Sequence, residues 1–245
     1  MGGSSGTSGP EAESTVRVTG VLKAKPGMSA GEFEERWLEG HVIPYSLRAF
    51  PRLVGLRCNV AVQCHVGEQG FDGTQDLWWA SREDMEADLG SPLRAEVSAH
   101  VREFCEPIDL AVTEYRFKED PGNGPGEQGL LESVPEPTPG VKVVALLTKN
   151  PGAAPVGLES ELIDDHLQRF AAQLQNLSGL RACLVDEQGG SDLQGQPFDA
   201  IEELWWVSEP DFEADKTSEQ GRAAHRNMWR FMTAVDLVTK EYIFI

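Results

Sequence analysis

The sequence predicts an α+β protein made of two β-α-β-β-α-β repeats that pack against each other within one chain. Three observations predict it: an internal duplication, a Pro/Gly-rich segment between the copies, and the same order of hydrophobic patterns in each copy. Val16-Arg-Val-Thr-Gly-Val-Leu-Lys returns as Val141-Lys-Val-Val-Ala-Leu-Leu-Thr. His41 returns as His166, and Gly55-Leu56-Arg57 as Gly179-Leu180-Arg181. Phe71-Asp72 with Leu77-Trp78-Trp79 returns as Phe198-Asp199 with Leu204-Trp205-Trp206. Residues 119–138 hold four Gly and four Pro, the composition of a linker. The expected organisation is therefore a leader over 1–13, a first repeat over 14–118, the linker over 119–138 and a second repeat over 139–245.

In the first repeat, residues 15–24 alternate and are rich in β-branched types, which predicts a strand. Ser29 and Glu32 form a capping box that opens a helix running to about Arg48. Leu56, Cys58, Val60, Val62 and Cys64 alternate along a second strand. Residues 77–80 form a short third strand, a helical stretch follows over 83–105, and residues 111–117 make the fourth strand. This order is ferredoxin-like. A sheet with helices on one face leaves the other face bare, and two copies can cover each other's. A barrel-like pseudo-dimer in one chain is the expected result.

Composition narrows the function. The chain has 245 residues and a formal net charge of −19, which disfavours nucleic acid and anionic membrane surfaces as partners. No apolar run reaches the roughly 18 residues of a membrane helix. The start, MGGSSGTSGP, shows no signal-peptide pattern, so a cytoplasmic protein is expected. Cys58, Cys64, Cys105 and Cys183 lack zinc-site spacing and read as reduced, buried thiols. The acidic excess reads as a solvated exterior.

Several residues could carry chemistry. Phe33, Trp37 and His41 advance by four and share the helix face turned to the sheet. An imidazole on that apolar stripe needs a partner or a purpose, and it can exchange a proton near neutral pH. His41 and His166 are the candidate general bases or acids. Asp72 and Asp199 precede the third strand of each copy; either orients the helix histidine, acts as a second acid/base or serves turn chemistry. In Trp78-Trp79 and Trp205-Trp206, one ring of each pair faces the helices and the other faces the opposite side of the sheet. Both pairs are candidate substrate walls or core filling. Tyr45 follows His41 by four residues, with Pro44 between them. Asn59 and His65 share the polar parity of the second strand and are further substrate-binding candidates. His100 and His225 read as surface residues. No dinucleotide loop, Walker sequence, nucleophile elbow or metal-ligand pattern occurs.

Phe33-x3-Trp37-x3-His41-x2-Pro44, with Phe71-Asp72-Gly73 and Leu77-Trp78-Trp79, resembles the EthD family of the dimeric α+β barrel superfamily. The resemblance spans both copies, about 210 of the 245 residues. In the second copy Leu158, Leu162, His166 and Phe170 keep the helical spacing without the Trp or the Pro. The resemblance implies a dimeric α+β barrel and small-molecule chemistry with no metal or organic cofactor: cyclisation, isomerisation, decarboxylation, lyase or oxygenase reactions, often on aromatic or polyketide compounds.

The leading expectation is a cofactor-independent enzyme of lyase, isomerase or cyclase type. His41 is its acid/base, Asp72 the orienter, Tyr45 or Asn59 the anchor, and Trp37 with Trp78 or Trp79 the wall. The first copy keeps the fuller motif and is expected to hold the main site. The alternatives are a non-catalytic small-molecule binder or interaction protein, and a cofactorless aromatic oxygenase. The internal pseudo-dimer is expected to suffice as a monomer, with further association possible.

Overall fold

The computed structural model describes residues 15–66, 70–118, 133–151, 157–169, 171–186 and 198–245, and for 64–66 the backbone alone. Eight antiparallel strands close into one barrel in the order β1-β3-β2-β8-β5-β7-β6-β4. The first half contributes β1 (Val16–Ala24), β2 (Leu53–Val66), β3 (Gly73–Trp79) and β4 (Cys105–Lys118). The second contributes β5 (Val141–Lys149), β6 (Leu177–Val185), β7 (Ala200–Trp206) and β8 (Met232–Ile243). The fold is thus the α+β barrel expected from two ferredoxin-like units. The halves meet through strand edges as well as faces, because β2 pairs with β8 and β4 with β6. Closure leaves no sheet edge unpaired, which removes a template for aggregation.

The helices lie outside the barrel. α1 (Ala30–Trp37) starts where the capping box places it, with the Ser29 hydroxyl accepting from the Glu32 backbone N–H at 3.2 Å. It continues as a π-helical segment, Leu38–Ser46, before a last turn, α2 (Leu47–Ala49). The wider π turn carries Pro44, which has no N–H to donate, so the helix passes through it instead of ending there. The second expected helix is two, α3 (Arg82–Leu89) and α4 (Pro92–Phe104). The break falls at Ser91-Pro92, where proline suits a helix start. The second half has a π-helical segment, Ser160–Leu167, then α5 (Glu209–Thr217) and α6 (Glu219–Met228).

Strand alternation splits the core in two directions. Val18, Leu22, Leu56, Cys58 and Trp79 pack under the first-half helices, and Leu147, Leu180, Ala182 and Trp206 under those of the second. Residues of the opposite parity fill the barrel. At one end they are apolar, with Val21, Leu110, Leu146 and Ile201 under the edge-on Phe71–Phe198 pair. Further along, the interior is charged. Arg17 contacts Asp76, Glu114 and Glu203, each at 2.7 Å, and Lys142 contacts Glu203 at 2.7 Å and Glu241 at 2.8 Å. Arg57 and Arg181 join the same buried group. Four carboxylates sit inside the barrel because four cations from both halves neutralise them.

Cys58, Cys105 and Cys183 are reduced and buried, while the side chain of Cys64 lies outside the described residues. Among the described residues, no helix is long and apolar enough to cross a membrane.

Candidate functional site

Strand register makes the two halves comparable residue by residue. Gly20 of β1 stands between Gln75 and Asp109, and Ala145 of β5 stands between Glu202 and Asp236. The same correspondence pairs Trp37 with Leu162, Gly73 with Ala200, Arg94 with Gly221, Val97 with Ala224, and His100 with Asn227. The two helix-face regions nevertheless differ, and the difference is one of volume.

In the first half, Trp37 is fully buried and Phe33 nearly so. The Trp37 ring lies on Gly73 so closely that a Cβ there would stand 2.6 Å from it. The space between helix and sheet is filled. His41 is buried against α4, with its Nδ1 3.0 Å from His100 Nδ1. One ring must donate and the other accept, so the two nitrogens cannot both carry protons. Burial first, then His100, pushes the His41 pKa down to about 3. Tyr45 stacks on His100 at 4.1 Å between centroids. The surface reading of His100 is therefore corrected: it is half-buried and is the partner of His41.

Asp72 does not orient His41. Its carboxylate accepts from the Ala24 backbone N–H at 2.7 Å, and Asp199 does the same for Lys149 at 2.6 Å. Both cap a strand end, as turn chemistry suggests. Trp78 and Trp205 point into the barrel, where their indole N–H groups donate to Glu114 and Glu241. Trp79 and Trp206 point to the helices and donate to Asp88 and Asp215, each at 3.0 Å. Asn59 is fully buried inside the barrel and donates to Thr74 and Asp76. The side chain of His65 lies outside the described residues, as does Phe170.

The second half contains a cavity of about 350 Å³. Leu162 replaces the indole, and Ala145, Ala171, Ala224 and Gly221 keep the walls small. Gly221 is forced by the α5–α6 junction, since a Cβ there would collide with the Asp215 carbonyl oxygen. Val143, Leu204, Trp206, Phe212 and Met228 supply the apolar lining, with Trp229 and His225 on the more exposed side.

Of the titratable groups that line this cavity, His166, Glu202 and Asp236 bear most on its chemistry. His166 is buried, with Nδ1 3.0 Å from Asn227 Oδ1 and Nε2 3.7 Å from Glu202 Oε2. A proton on Nδ1 satisfies the amide oxygen and turns Nε2 toward the cavity side and Glu202. Burial lowers the His166 pKa, but hydrogen bonding and charge from Glu202, then Asn227, outweigh it and leave the value raised. Asp236 is the third group, 8% exposed, and its Oδ1 has no hydrogen-bond partner among the described residues. Burial first, then the Glu202 carboxylate, pushes its pKa up to about 7. In the first half Arg94 stands 3.8 Å from the equivalent Asp109; Gly221 removes that cation here. Desolvation pulls the His225 pKa down against the Glu202 carboxylate, with His166 and Lys216 adding to the fall.

In the first repeat, where the main site was expected, Trp37 closes on Gly73, and the cavity lies beside His166 in the second. Sequence reasoning found His166 and placed His225 at the surface, where it is exposed, but missed Glu202 and Asp236. The available signal was parity: Glu202 stands between Ala200 and Leu204, and Asp236 between Ala234 and Val238, on faces that alternation assigns to the core. Among the described residues, no group of three or more His, Cys, Asp or Glu is placed to hold a metal ion.

No known protein family matches the sequence, and no curated protein does. Solved structures do share the fold. An anthrone oxidase-like protein superposes with a TM-score of 0.61 at 14% identity, covering 95% of this chain and 92% of its own. A candidate monooxygenase from Lactobacillus acidophilus NCFM gives 0.51 at 7% identity, covering 94% of each chain. Another from Fusobacterium nucleatum gives 0.51 at 6% identity, covering 98% of this chain and 94% of its own. At these identities the likeness is one of architecture: this chain has the dimeric α+β barrel fold, completed within a single polypeptide.

Proposed function

We propose that the chain is a small-molecule enzyme of the EthD type, formed from two repeats over 14–118 and 139–245, whose working site is the second-repeat cavity. The observation that carries this is the joining of an apolar 350 Å³ space to His166, Glu202 and Asp236. Nε2 of His166 takes a proton from a carbon next to a carbonyl or from a phenol, and Glu202 stabilises the imidazolium that forms. Asp236 balances the charge developing on the substrate oxygen. Trp206, Phe212 and Met228 exclude water and suit a compact aromatic or polyketide-like substrate. The chemistry needs neither a metal nor an organic cofactor. Cyclisation, isomerisation, decarboxylation and elimination all begin from this step.

The test is turnover of a panel of hydroxylated aromatic ketones by the wild type and by His166→Gln. Loss of about a hundredfold or more in kcat/KM is expected. His41→Gln, in the filled repeat, is expected to stay within a few-fold. Full turnover by His166→Gln with loss in His41→Gln would move the site to the first repeat.

A second reading is a cofactorless oxygenase, favoured by the neighbours described as an anthrone oxidase-like protein and as candidate monooxygenases. The same base would form an electron-rich carbanion that O2 oxidises. For anthrone, one oxygen atom becomes the new quinone carbonyl and the other leaves as water. Product formation that stops under strict anaerobiosis selects this reading, and formation that continues excludes it.

A further inference from the structure

We propose that Asp236 is the specificity-determining residue of the cavity, donating its carboxyl proton to a carbonyl or phenolic oxygen of an uncharged ligand and, with Glu202, rejecting ligands that carry a carboxylate. This rests on the second-repeat cavity being the substrate site, and it adds the substrate's charge class.

Geometry carries the inference. Ala145 separates Glu202 on β7 from Asp236 on β8, so the two acidic side chains stand on the same barrel face, two strands apart. Two strand spacings place their Cα atoms about 10 Å apart, the span of a small aromatic molecule. Glu202 already has His166 beside it. Asp236 has an unpartnered, buried oxygen and lines the cavity. A buried polar atom left unpaired costs free energy that a ligand group can recover. In the first half Arg94 stands 3.8 Å from Asp109, whereas Gly221 brings no side chain to Asp236.

The charged and titratable groups around Asp236 set the sign of the selection. The π-helical segment brings His166, β7 brings Glu202, α5 brings Asp215 and Lys216, and α6 brings His225. Asp215 is committed to the Trp206 indole and to Asn176. Lys216 pairs with Glu213 outside. His166 offsets Glu202, and no cation pairs with Asp236 among the described residues. Above about pH 7, where Asp236 is ionised, a ligand carboxylate would therefore meet a carboxylate without compensation, which is unfavourable in a partly desolvated site. A neutral hydroxyl or ketone meets a donor.

The experiment is calorimetric titration of the full chain with 2-naphthol and with 6-hydroxy-2-naphthoate from pH 5.5 to 8.5. The naphthol hydroxyl stays un-ionised over that range. At pH 8.5, with Asp236 ionised, the wild type should bind naphthol at least about tenfold more tightly than the naphthoate. Naphthol affinity should fall as pH rises through about 7, where Asp236 ionises. Asp236→Asn keeps shape and a donor, and should flatten the pH dependence and shrink the discrimination to about threefold or less. Glu202→Gln removes the neighbouring charge without touching Asp236, and should move the fall in affinity to lower pH. Unchanged discrimination in Asp236→Asn, or no binding of naphthol by the wild type, overturns the proposal. Discrimination set by Asp236 alongside unimpaired turnover in His166→Gln would instead leave the inference standing and remove the catalytic reading.

Discussion

Two buried groups respond to pH in opposite senses. Asp236 has a folded pKa of about 7 against about 3.9 for an unfolded aspartate. The folded state therefore binds the extra proton between these values, and stability falls as pH rises from about 4 to about 7. The size is on the order of 4 kcal/mol. Asp236→Asn should accordingly raise the urea midpoint over the wild type at pH 8 and lose that advantage near pH 4. His41, held neutral down to about pH 3, has the reverse sign. Its unfolded form is protonated first as pH falls below about 6.5, so its contribution is present above that pH and is lost on acidification. NMR titration of the His41 ring should show a neutral imidazole at pH 5, and a midpoint near 6.5 would contradict its burial against His100. At this scale the helix histidines were legible because an imidazole breaks an apolar stripe. Glu202 and Asp236 were obscured because one charged residue within an alternating strand can equally mark its solvent face.

Helix and strand positions were legible from period and capping, apart from the break at Ser91-Pro92 that divides α3 from α4. What the elements do together depends on single side chains at their contacts. Trp37 on α1 and Gly73 on β3 are a matched pair, the ring lying where a Cβ would project. Trp37→Leu copies the second half and opens a void beneath α1, and should destabilise by about 2–4 kcal/mol. Gly73→Ala should also destabilise, and by less in the Trp37→Leu background, because part of its clash is with the missing ring. Equal costs in both backgrounds would place the whole clash on the Asn59 backbone, which also approaches Gly73. The π-helical segments were not legible. Their hydrogen-bond pattern depends on how His41 and His166 settle against α4 and α6, and hydrophobic spacing does not encode that.

The whole molecule is held together at its centre by charge as well as by apolar contact. Arg17 from the first half neutralises Glu203 from the second, and Lys142 from the second shares Glu203 with Glu241. The Arg17 and Arg181 guanidiniums help hold Glu114 at a pKa of about 2 against the effect of its burial. Arg17→Met would leave Asp76, Glu114 and Glu203 short of a partner. It should cost about 3–5 kcal/mol, read from the denaturant midpoint, because breaking one member of a buried ion group strands the others. A variant as stable as the wild type would show that Lys142 and Arg181 alone suffice.

The sequence by itself determined the duplication, the order of elements in each copy, the opposite facing of the two rings in each Trp-Trp pair and the place of a histidine on each first helix. These follow from local periodicity and from similarity between copies, which one chain displays in full. Only the tertiary structure decided that a cavity opens beside His166, that His166 meets Glu202 with Asp236 lining the same cavity, and that the barrel interior is an ion group shared by both halves. The physical reason is that cavities and buried pairs depend on residues brought together from distant strands. Leu162 in place of Trp37 and Gly221 in place of Arg94 look minor along the chain. At the helix–sheet interface they turn a filled core into a pocket lined by acids.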